Sequence, residues 1–125
     1  MKKILMIDDE KDFCFFMKKN IEAGLPGFNV IAANNGPDGI TAAMREKPDV
    51  ILLDIVMPKM DGFEVIKILK EKMETTSIPV IMLTAVNTDE AKAKSLGLYH
   101  EDYIIKPVKS DVLISKIKDV LSRKA

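Results

Sequence analysis

Short apolar runs that do not alternate with polar residues are the sequence feature that most restricts how this chain can fold. Four of them are Ile4–Ile7, Phe28–Ala32, Val50–Leu53 and Pro79–Leu83, and a shorter fifth is Tyr103–Ile105. Runs of this kind are typical of strands buried on both faces, as in a parallel sheet covered by helices. The sequence therefore predicts five short strands.

The intervals between the runs carry the spacing of amphipathic helices. Gly24 ends the first interval, Pro37 and Pro48 bracket the second, and the third spans about 61–74. The apolar stripes of these three predicted helices are, in order, Phe13, Phe16, Met17 and Ile21; Ile40, Ala43 and Met44; and Val65, Ile68, Leu69 and Met73.

Two further helices complete the pattern. The fourth, over about 88–96, offers little apolar surface, and the last begins with Ser110 as its N-cap and runs to the C-terminus. The strand–helix unit therefore occurs five times, (βα)5. Because βαβ crossovers are right-handed, this order predicts an α/β fold with a doubly wound, five-stranded parallel sheet.

Composition places limits on what the protein does. At 125 residues, we expect a single domain over 1–125 with no linker and no output domain. The formal net charge of zero gives no global field for nucleic acid or anionic lipid. One cysteine, Cys14, excludes an internal disulfide and is expected to be a small buried hydrophobe. Without a signal-peptide core or membrane span, we expect a cytoplasmic protein.

Polar residues follow several of the predicted strands. Asp8, Asp9 and Glu10 follow the first, Asp54 the third, Thr84 the fourth and Lys106 the fifth; the functional crevice of such sheets lies at these carboxyl ends. Like charges about 4 Å apart repel by roughly 4 kcal/mol at an effective dielectric near 20, so the acids need a cation.

An all-oxygen set of ligands without nearby histidine or cysteine favours a hard ion, Mg²⁺ by preference. A carboxylate beside Mg²⁺ and the Lys106 ammonium is a reasonable nucleophile toward a phosphoryl group. The product would be an aspartyl phosphate on Asp54. The Thr84 hydroxyl can donate a hydrogen bond to such a phosphate, so its position could report whether the phosphate is present.

These residues resemble the receiver domain of two-component response regulators. The likeness covers the whole chain and rests on Asp8-Asp9, the segment Asp54–Gly62, Thr84-Ala85 and the segment Asp102–Pro107. Each motif is weak alone, but in this order and at these strand ends they are specific. The resemblance implies a flavodoxin-like fold of the CheY-like superfamily with strand order 2-1-3-4-5.

The resemblance also implies roles for the site residues. Asp54 would accept phosphate from a phosphohistidine on a sensor histidine kinase or phosphotransfer protein. Asp9, Asp54 and the backbone carbonyl of Val56 would ligate Mg²⁺, while Asp8 would act through water.

Other residues would couple phosphorylation to the output surface. Lys106 would pair with the phosphate, Thr84 would move to bond it, and Pro107 would follow a cis peptide bond. Tyr103 would be the switch aromatic that reshapes the face made by the predicted fourth helix, the fifth strand and the last helix.

Two features depart from the usual pattern of the family. Gly97 lies earlier than usual before the fifth strand, which indicates an early end to the fourth helix. Val56 and Val86 are apolar at positions that influence water attack on the phosphorylated aspartate, so we expect a long-lived phosphoryl group.

The favoured hypothesis is a regulatory switch, not an enzyme acting on an external substrate. Its partners would be the kinase or phosphotransfer protein and an unknown downstream protein, without direct nucleic-acid binding or membrane insertion, as a monomer or phosphorylation-promoted dimer. The alternatives are a receiver-like interaction module that needs no phosphorylation and, less favoured, a small Mg²⁺-dependent phosphotransfer enzyme. Taken singly, Asp8 and Asp9 could cap a helix, and Thr84 and Lys106 could be surface residues.

Overall fold

A computed structural model of the chain describes residues 2–84 and 102–123, with Thr84, Asp102 and Tyr103 described by their backbone alone. It contains one five-stranded parallel sheet in the order β2-β1-β3-β4-β5. The strands are β1 (Lys2–Ile7), β2 (Phe28–Ala33), β3 (Val50–Asp54), β4 (Val80–Thr84) and β5 (Asp102–Ile105). The predicted α/β class, flavodoxin-like architecture and strand order are confirmed.

Four helices lie in the described part of the chain. They are α1 (Lys11–Gly24), α2 (Gly36–Glu46), α3 (Gly62–Glu71) and α4 (Ser110–Ser122). The helix predicted over 88–96 lies outside the described residues. None of the described helices is long and apolar enough to cross a membrane.

Successive residues of each central strand enter different hydrophobic cores. In β1, Ile4 and Met6 join the core beneath α1 and α4, while Leu5 and Ile7 join the core beneath α2 and α3. This follows from the period of two along a strand, which sends neighbouring side chains to opposite faces of the sheet. Both faces are covered, which is the physical reason the strand sequences are continuously apolar.

Short polar caps and one close backbone approach set where two helices begin. The Asn35 side chain accepts a hydrogen bond from the Asp38 N–H at the start of α2, and Asp61 accepts one from Glu64 N–H at the start of α3. Gly62 lies so close to the end of β3 that a Cβ there would be 2.4 Å from the Asp54 carbonyl oxygen. The start of α3 is thereby packed directly against the strand that carries Asp54.

The structure corrects three details of the predicted helices. Phe16, predicted on the inner stripe of α1, is 63% exposed. The buried face of α1 centres on Met17. Because successive residues of a helix are rotated by about 100°, Phe16 points away from this face. The third helix ends at Glu71, so Met73 is exposed rather than part of its apolar stripe. Lys109, not Ser110, is the N-cap of α4. Cys14 is buried, as predicted.

Candidate functional site

Two buried carboxylates and one lysine meet at the carboxyl end of the sheet. Asp8 directly follows β1 and Asp54 is the last residue of β3, and their side chains are only 1% and 4% exposed. These strands are neighbours in the sheet, so their ends are adjacent. Lys106 directly follows the edge strand β5, and its long side chain spans the remaining distance.

The ammonium of Lys106 is surrounded by carboxylates. Its Nζ lies 2.8 Å from Asp8 Oδ2, 2.8 Å from Glu10 Oε1 and 3.8 Å from Asp54 Oδ2. The Nζ also lies 4.4 Å from the centroid of the Phe13 ring, within the range of a cation–π contact. Asp8 and Glu10 therefore receive direct hydrogen bonds from Lys106, whereas Asp54 is reached only by the longer-range charge of this lysine.

Local hydrogen bonds fix the position of Asp8. Its backbone N–H donates to the Ala33 carbonyl, and its own carbonyl accepts from Asn34 Nδ2 at 2.9 Å. Its Oδ1 accepts from the Glu10 N–H at 2.9 Å, which turns the chain at the start of α1. The carboxylate is held by its own loop as well as by the lysine.

Burial controls the charge state of the two aspartates. It raises the pKa of Asp54 to about 7, with a further increase from the nearby Asp8 charge, against the lowering effects of Lys106 and a hydrogen bond from the Val56 N–H. Burial also raises the pKa of Asp8, although its hydrogen bond from Lys106 opposes the change.

The same contacts act in the opposite direction on the lysine. Burial acts to lower the pKa of Lys106, but the hydrogen bonds to Asp8 and Glu10 outweigh it and the pKa is raised. The ammonium is therefore charged, and it is the partner that makes two buried carboxylates tolerable in one pocket.

The carboxylates that come together differ in one member from the predicted set. Oxygens of Asp8, Glu10 and Asp54 all lie within 4.8 Å of one another; Asp9 is not in this group and its side chain is half-buried. Glu10 was recognised in the sequence only as part of an acidic strand end. The sequence feature that pointed to Glu10 was the lysine after the fifth strand, which needs an acidic partner. Which of the three consecutive acids contacts that lysine depends on the turn into α1.

The other predicted site residues are described to different extents. The Val56 side chain is exposed, and Thr84 ends β4 opposite Ile105 of β5. The peptide bond between Lys106 and Pro107 is cis. The structure describes only the backbone of Thr84 and Tyr103, and Val86 lies outside the described residues. The predicted roles of these three residues therefore stay predictions.

The donor set fits a hard cation. Three carboxylates within 4.8 Å of one another supply oxygen ligands, and none of the described residues adds a histidine or thiolate to the group. Their negative charge exceeds that of the single Lys106 ammonium, so a divalent ion would complete the balance. Mg²⁺ is suited to such a site because it uses few carboxylates and keeps several waters.

Comparison with known proteins identifies the class. A family model described as the response regulator receiver domain matches residues 4–118, and the chain belongs to this family. PilH of Pseudomonas aeruginosa is 39% identical over 124 residues, which cover 98% of this chain and 99% of PilH. The alkaline phosphatase synthesis transcriptional regulatory protein PhoP of Bacillus subtilis is 37% identical over 122 residues, but the chain spans only 49% of its length.

Solved structures agree with this assignment. A two-component response regulator from Clostridium difficile superposes with a TM-score of 0.90 at 31% identity, covering 99% of this chain and 98% of that one. The chemotaxis protein CheY4 of Vibrio cholerae gives a TM-score of 0.88 at 26% identity, covering 96% and 98%.

Family membership defines the general activity. Receiver domains are regulatory modules of two-component phosphorelay signalling rather than enzymes of the ordinary kind, and they interact with histidine kinases or phosphotransfer proteins. They bind Mg²⁺ at an acidic pocket, and in this protein carboxylate oxygens of Asp8, Glu10 and Asp54 lie close together at the carboxyl end of the sheet.

Proposed function

We propose that this protein is a switch that is turned on by phosphorylation of Asp54. The observation that carries the proposal is the arrangement of Asp54 itself, a buried carboxylate at a strand end, 3.8 Å from the Lys106 ammonium and beside a second buried acid. A donor phosphohistidine on a histidine kinase or phosphotransfer protein would supply the phosphoryl group, and the changed receiver would bind an unidentified downstream protein.

The transfer step is a displacement at phosphorus. A carboxylate oxygen of Asp54 forms the new O–P bond as the N–P bond of phosphohistidine breaks, and the histidine nitrogen keeps the electron pair and takes up a proton. The product is an aspartyl phosphate. Lys106 supports this step because its positive charge faces the oxygens on which negative charge accumulates.

We propose Asp9, Asp54 and the Val56 carbonyl as the residues that hold Mg²⁺ directly, with Asp8 acting through water. When bound, the ion supplies charge stabilisation to the phosphoryl oxygens. Asp9 directly follows Asp8 in the loop after β1, and Val56 lies two residues after Asp54, so both proposed ligands belong to the segments that carry the buried aspartates.

We propose that the signal leaves the site through Thr84 and Tyr103. Thr84 ends β4, next to β3 and its terminal Asp54, so a hydroxyl at this position can reach a phosphoryl group. Tyr103 is in register with Met82, two residues before Thr84, and its turning inward would alter the surface around β5 and α4. The protein would act in the cytoplasm, as one receiver domain over residues 1–125, as a monomer or a phosphorylation-promoted dimer.

The donor has to approach on the open side of the pocket. A groove of about 470 Å³ lies next to Lys106 and Glu10, and it is lined by Glu10, Phe13, Met17, Lys106, Pro107 and Val108. We propose that the donor protein docks in this groove, because Lys106 lines the groove and its ammonium lies 3.8 Å from Asp54 Oδ2.

Intact mass spectrometry tests the proposed function. The protein is incubated with Mg²⁺ and a small-molecule phosphodonor, with EDTA and Asp54→Asn as controls. We expect one added phosphoryl group that requires both the metal and Asp54. A folded protein that binds Mg²⁺ but gains no phosphoryl group would instead support an interaction module that works without phosphorylation.

A further inference from the structure

Glu10 makes a contact that the proposed phosphoryl transfer does not require. Its Oε1 lies 2.8 Å from Lys106 Nζ, although the Glu10 side chain is 61% exposed and belongs to the start of the first helix rather than to a strand end. The residues are 96 positions apart in the sequence. Since no helix or strand ladder produces this contact, it depends on the charges themselves.

The contact directs the ammonium away from the phosphoacceptor. A lysine ammonium has three N–H donors, and two of them are occupied by Asp8 and Glu10 at 2.8 Å. The Asp54 oxygen, at 3.8 Å, is beyond hydrogen-bond distance. A phosphoryl group on Asp54 accepts hydrogen bonds from Lys106, and as long as Asp8 and Glu10 hold the ammonium, only its third N–H is free to donate to that group.

The two partners differ in how easily they can be exchanged. Asp8 has a side chain 1% exposed, so removing its hydrogen bond would leave a buried charge without compensation. Glu10 is largely solvated, and an exposed ion pair of this kind contributes little to stability because water replaces the lost contact. The exchange is therefore expected at Glu10.

We propose that Glu10 is a positioning residue that holds Lys106 in the resting protein and releases it to the phosphoryl group. The inference rests on the proposed function, in which Asp54 is the phosphoacceptor. Glu10 acts only through Lys106: its carboxylate competes with the phosphoryl oxygens for the same ammonium. Glu10 thereby slows the transfer of the phosphoryl group to Asp54.

The test compares Glu10→Gln with the matched control Asp12→Asn. Both substitutions remove one negative charge near the start of α1, but Asp12 is exposed and makes no contact with Lys106 among the described residues. With Mg²⁺ and a small-molecule phosphodonor, we expect Glu10→Gln to gain its phosphoryl group roughly two- to fivefold faster than the native protein, the gain from losing one exposed ion pair. Asp12→Asn should match the native protein. An unchanged or slower Glu10→Gln, or an equally fast Asp12→Asn, would overturn the proposal.

A second measurement detects the contact without any phosphorylation. In ¹⁵N-labelled protein without phosphodonor, we expect the Lys106 ammonium signal, assigned by its loss in Lys106→Arg, to shift in Glu10→Gln and to stay in place in Asp12→Asn. An unshifted signal would contradict the resting contact. If the native protein forms no adduct at all, the proposed function fails as well; if adducts form at equal rates in every variant, only the role of Glu10 fails.

Discussion

At the scale of single residues, the site is governed by unequal compensation of buried charge. Lys106 gives its short hydrogen bonds to Asp8 and Glu10, so Asp54 is the aspartate whose buried charge is least offset. Burial is the main physical reason why the pKa of Asp54 rises to about 7; the nearby Asp8 charge adds to the rise, and the charge of Lys106 opposes it only in part. A buried carboxylate that resists ionisation gains most from any cation that enters the pocket.

The raised pKa of Asp54 predicts a pH-dependent effect on stability. Between the ordinary aspartate pKa near 3.8 and about 7, the folded protein binds a proton that the unfolded chain has released, so the free energy of unfolding falls as pH rises through this window. Above pH 7 both states are ionised and the loss is complete. Asp54→Asn removes the cost of ionising this buried carboxyl, and in EDTA we expect the variant to be more stable than the native protein by on the order of 4 kcal/mol at pH 8.

Urea unfolding in EDTA at pH 4 and pH 8 measures this effect. The difference between Asp54→Asn and the native protein should be largest at pH 8 and should shrink toward pH 4, where the native carboxyl is protonated as well. A difference that is the same at both pH values would show that the ionisation of Asp54 is not its cause.

At the scale of elements, the start of α3 and the β2 edge of the sheet each depend on a specific contact. The first helical residue of α3, Gly62, packs against the backbone at the end of β3. At the opposite side of the sheet, β2 is an edge strand, and the N–H and C=O of Val30 are bonded to Glu22 Oε2 and Lys18 Nζ, each at 2.8 Å. These side chains also pair with each other and cover the exposed edge.

Gly62→Ala should disturb the end of β3, the strand that carries Asp54. The added Cβ would meet the Asp54 carbonyl oxygen and the Ile55 Cα, which are backbone atoms that cannot rotate away. We expect a loss of about 1–3 kcal/mol in the free energy of unfolding, as for other overpacked sites. Gly24→Ala is the matched control, because its Cβ meets only the tip of the Ile114 side chain, which can move. Equal losses in the two variants, measured by urea unfolding, would contradict this explanation.

Glu22→Ala should weaken the sheet edge at β2. The substitution leaves the part-buried Val30 N–H without its acceptor, and the loss of such a hydrogen bond costs about 1 kcal/mol. Asp119→Ala removes a comparable i,i+4 partner, that of Arg123, but Asp119 bonds no strand, so its loss should be below about 0.5 kcal/mol. Thermal unfolding compares the two, and a loss no larger in Glu22→Ala than in Asp119→Ala would mean that the edge contact contributes nothing.

At the scale of the whole molecule, the site joins segments far apart in the chain. Lys106 and Asp8 are 98 residues apart, and both are positioned only when β5, β4, β3 and β1 are assembled in one sheet. Binding of a cation to this pocket therefore requires the folded sheet. Any ion that binds the folded state more tightly than the unfolded chain stabilises the entire domain.

Mg²⁺ should raise the thermal unfolding midpoint of the native protein. At a concentration about 100 times the dissociation constant, the expected stabilisation is about 2.7 kcal/mol. Asp54→Asn removes a charged carboxylate that we propose as a ligand, and it should lose most of this increase. Glu74→Gln changes an exposed acid after α3 and should retain the increase. A Ca²⁺ comparison and an EDTA baseline identify effects that are not specific to Mg²⁺. Equal increases in both variants would place the bound ion outside the proposed pocket.

The sequence by itself determined the number and the parallel arrangement of the strands, because strands buried on both faces must be continuously apolar and βαβ crossovers are right-handed. The order of the strands in the sheet was predicted only from the resemblance to the receiver family. It also determined that Asp54 and Lys106 lie at the functional end of the sheet. The ends of the helices and the edges of their apolar stripes were less predictable. Met73 and Phe16 are exposed because the extent of a buried stripe depends on which neighbouring elements cover the helix.

Tertiary structure alone decided which acids face the lysine. Asp8, Asp9 and Glu10 are consecutive in the sequence, and the turn into α1 brings Asp8 and Glu10, rather than Asp9, to Lys106 Nζ. The physical reason is that a carboxylate's partner depends on distances of a few ångströms across four strands, whereas a strand's burial depends mainly on its own local composition.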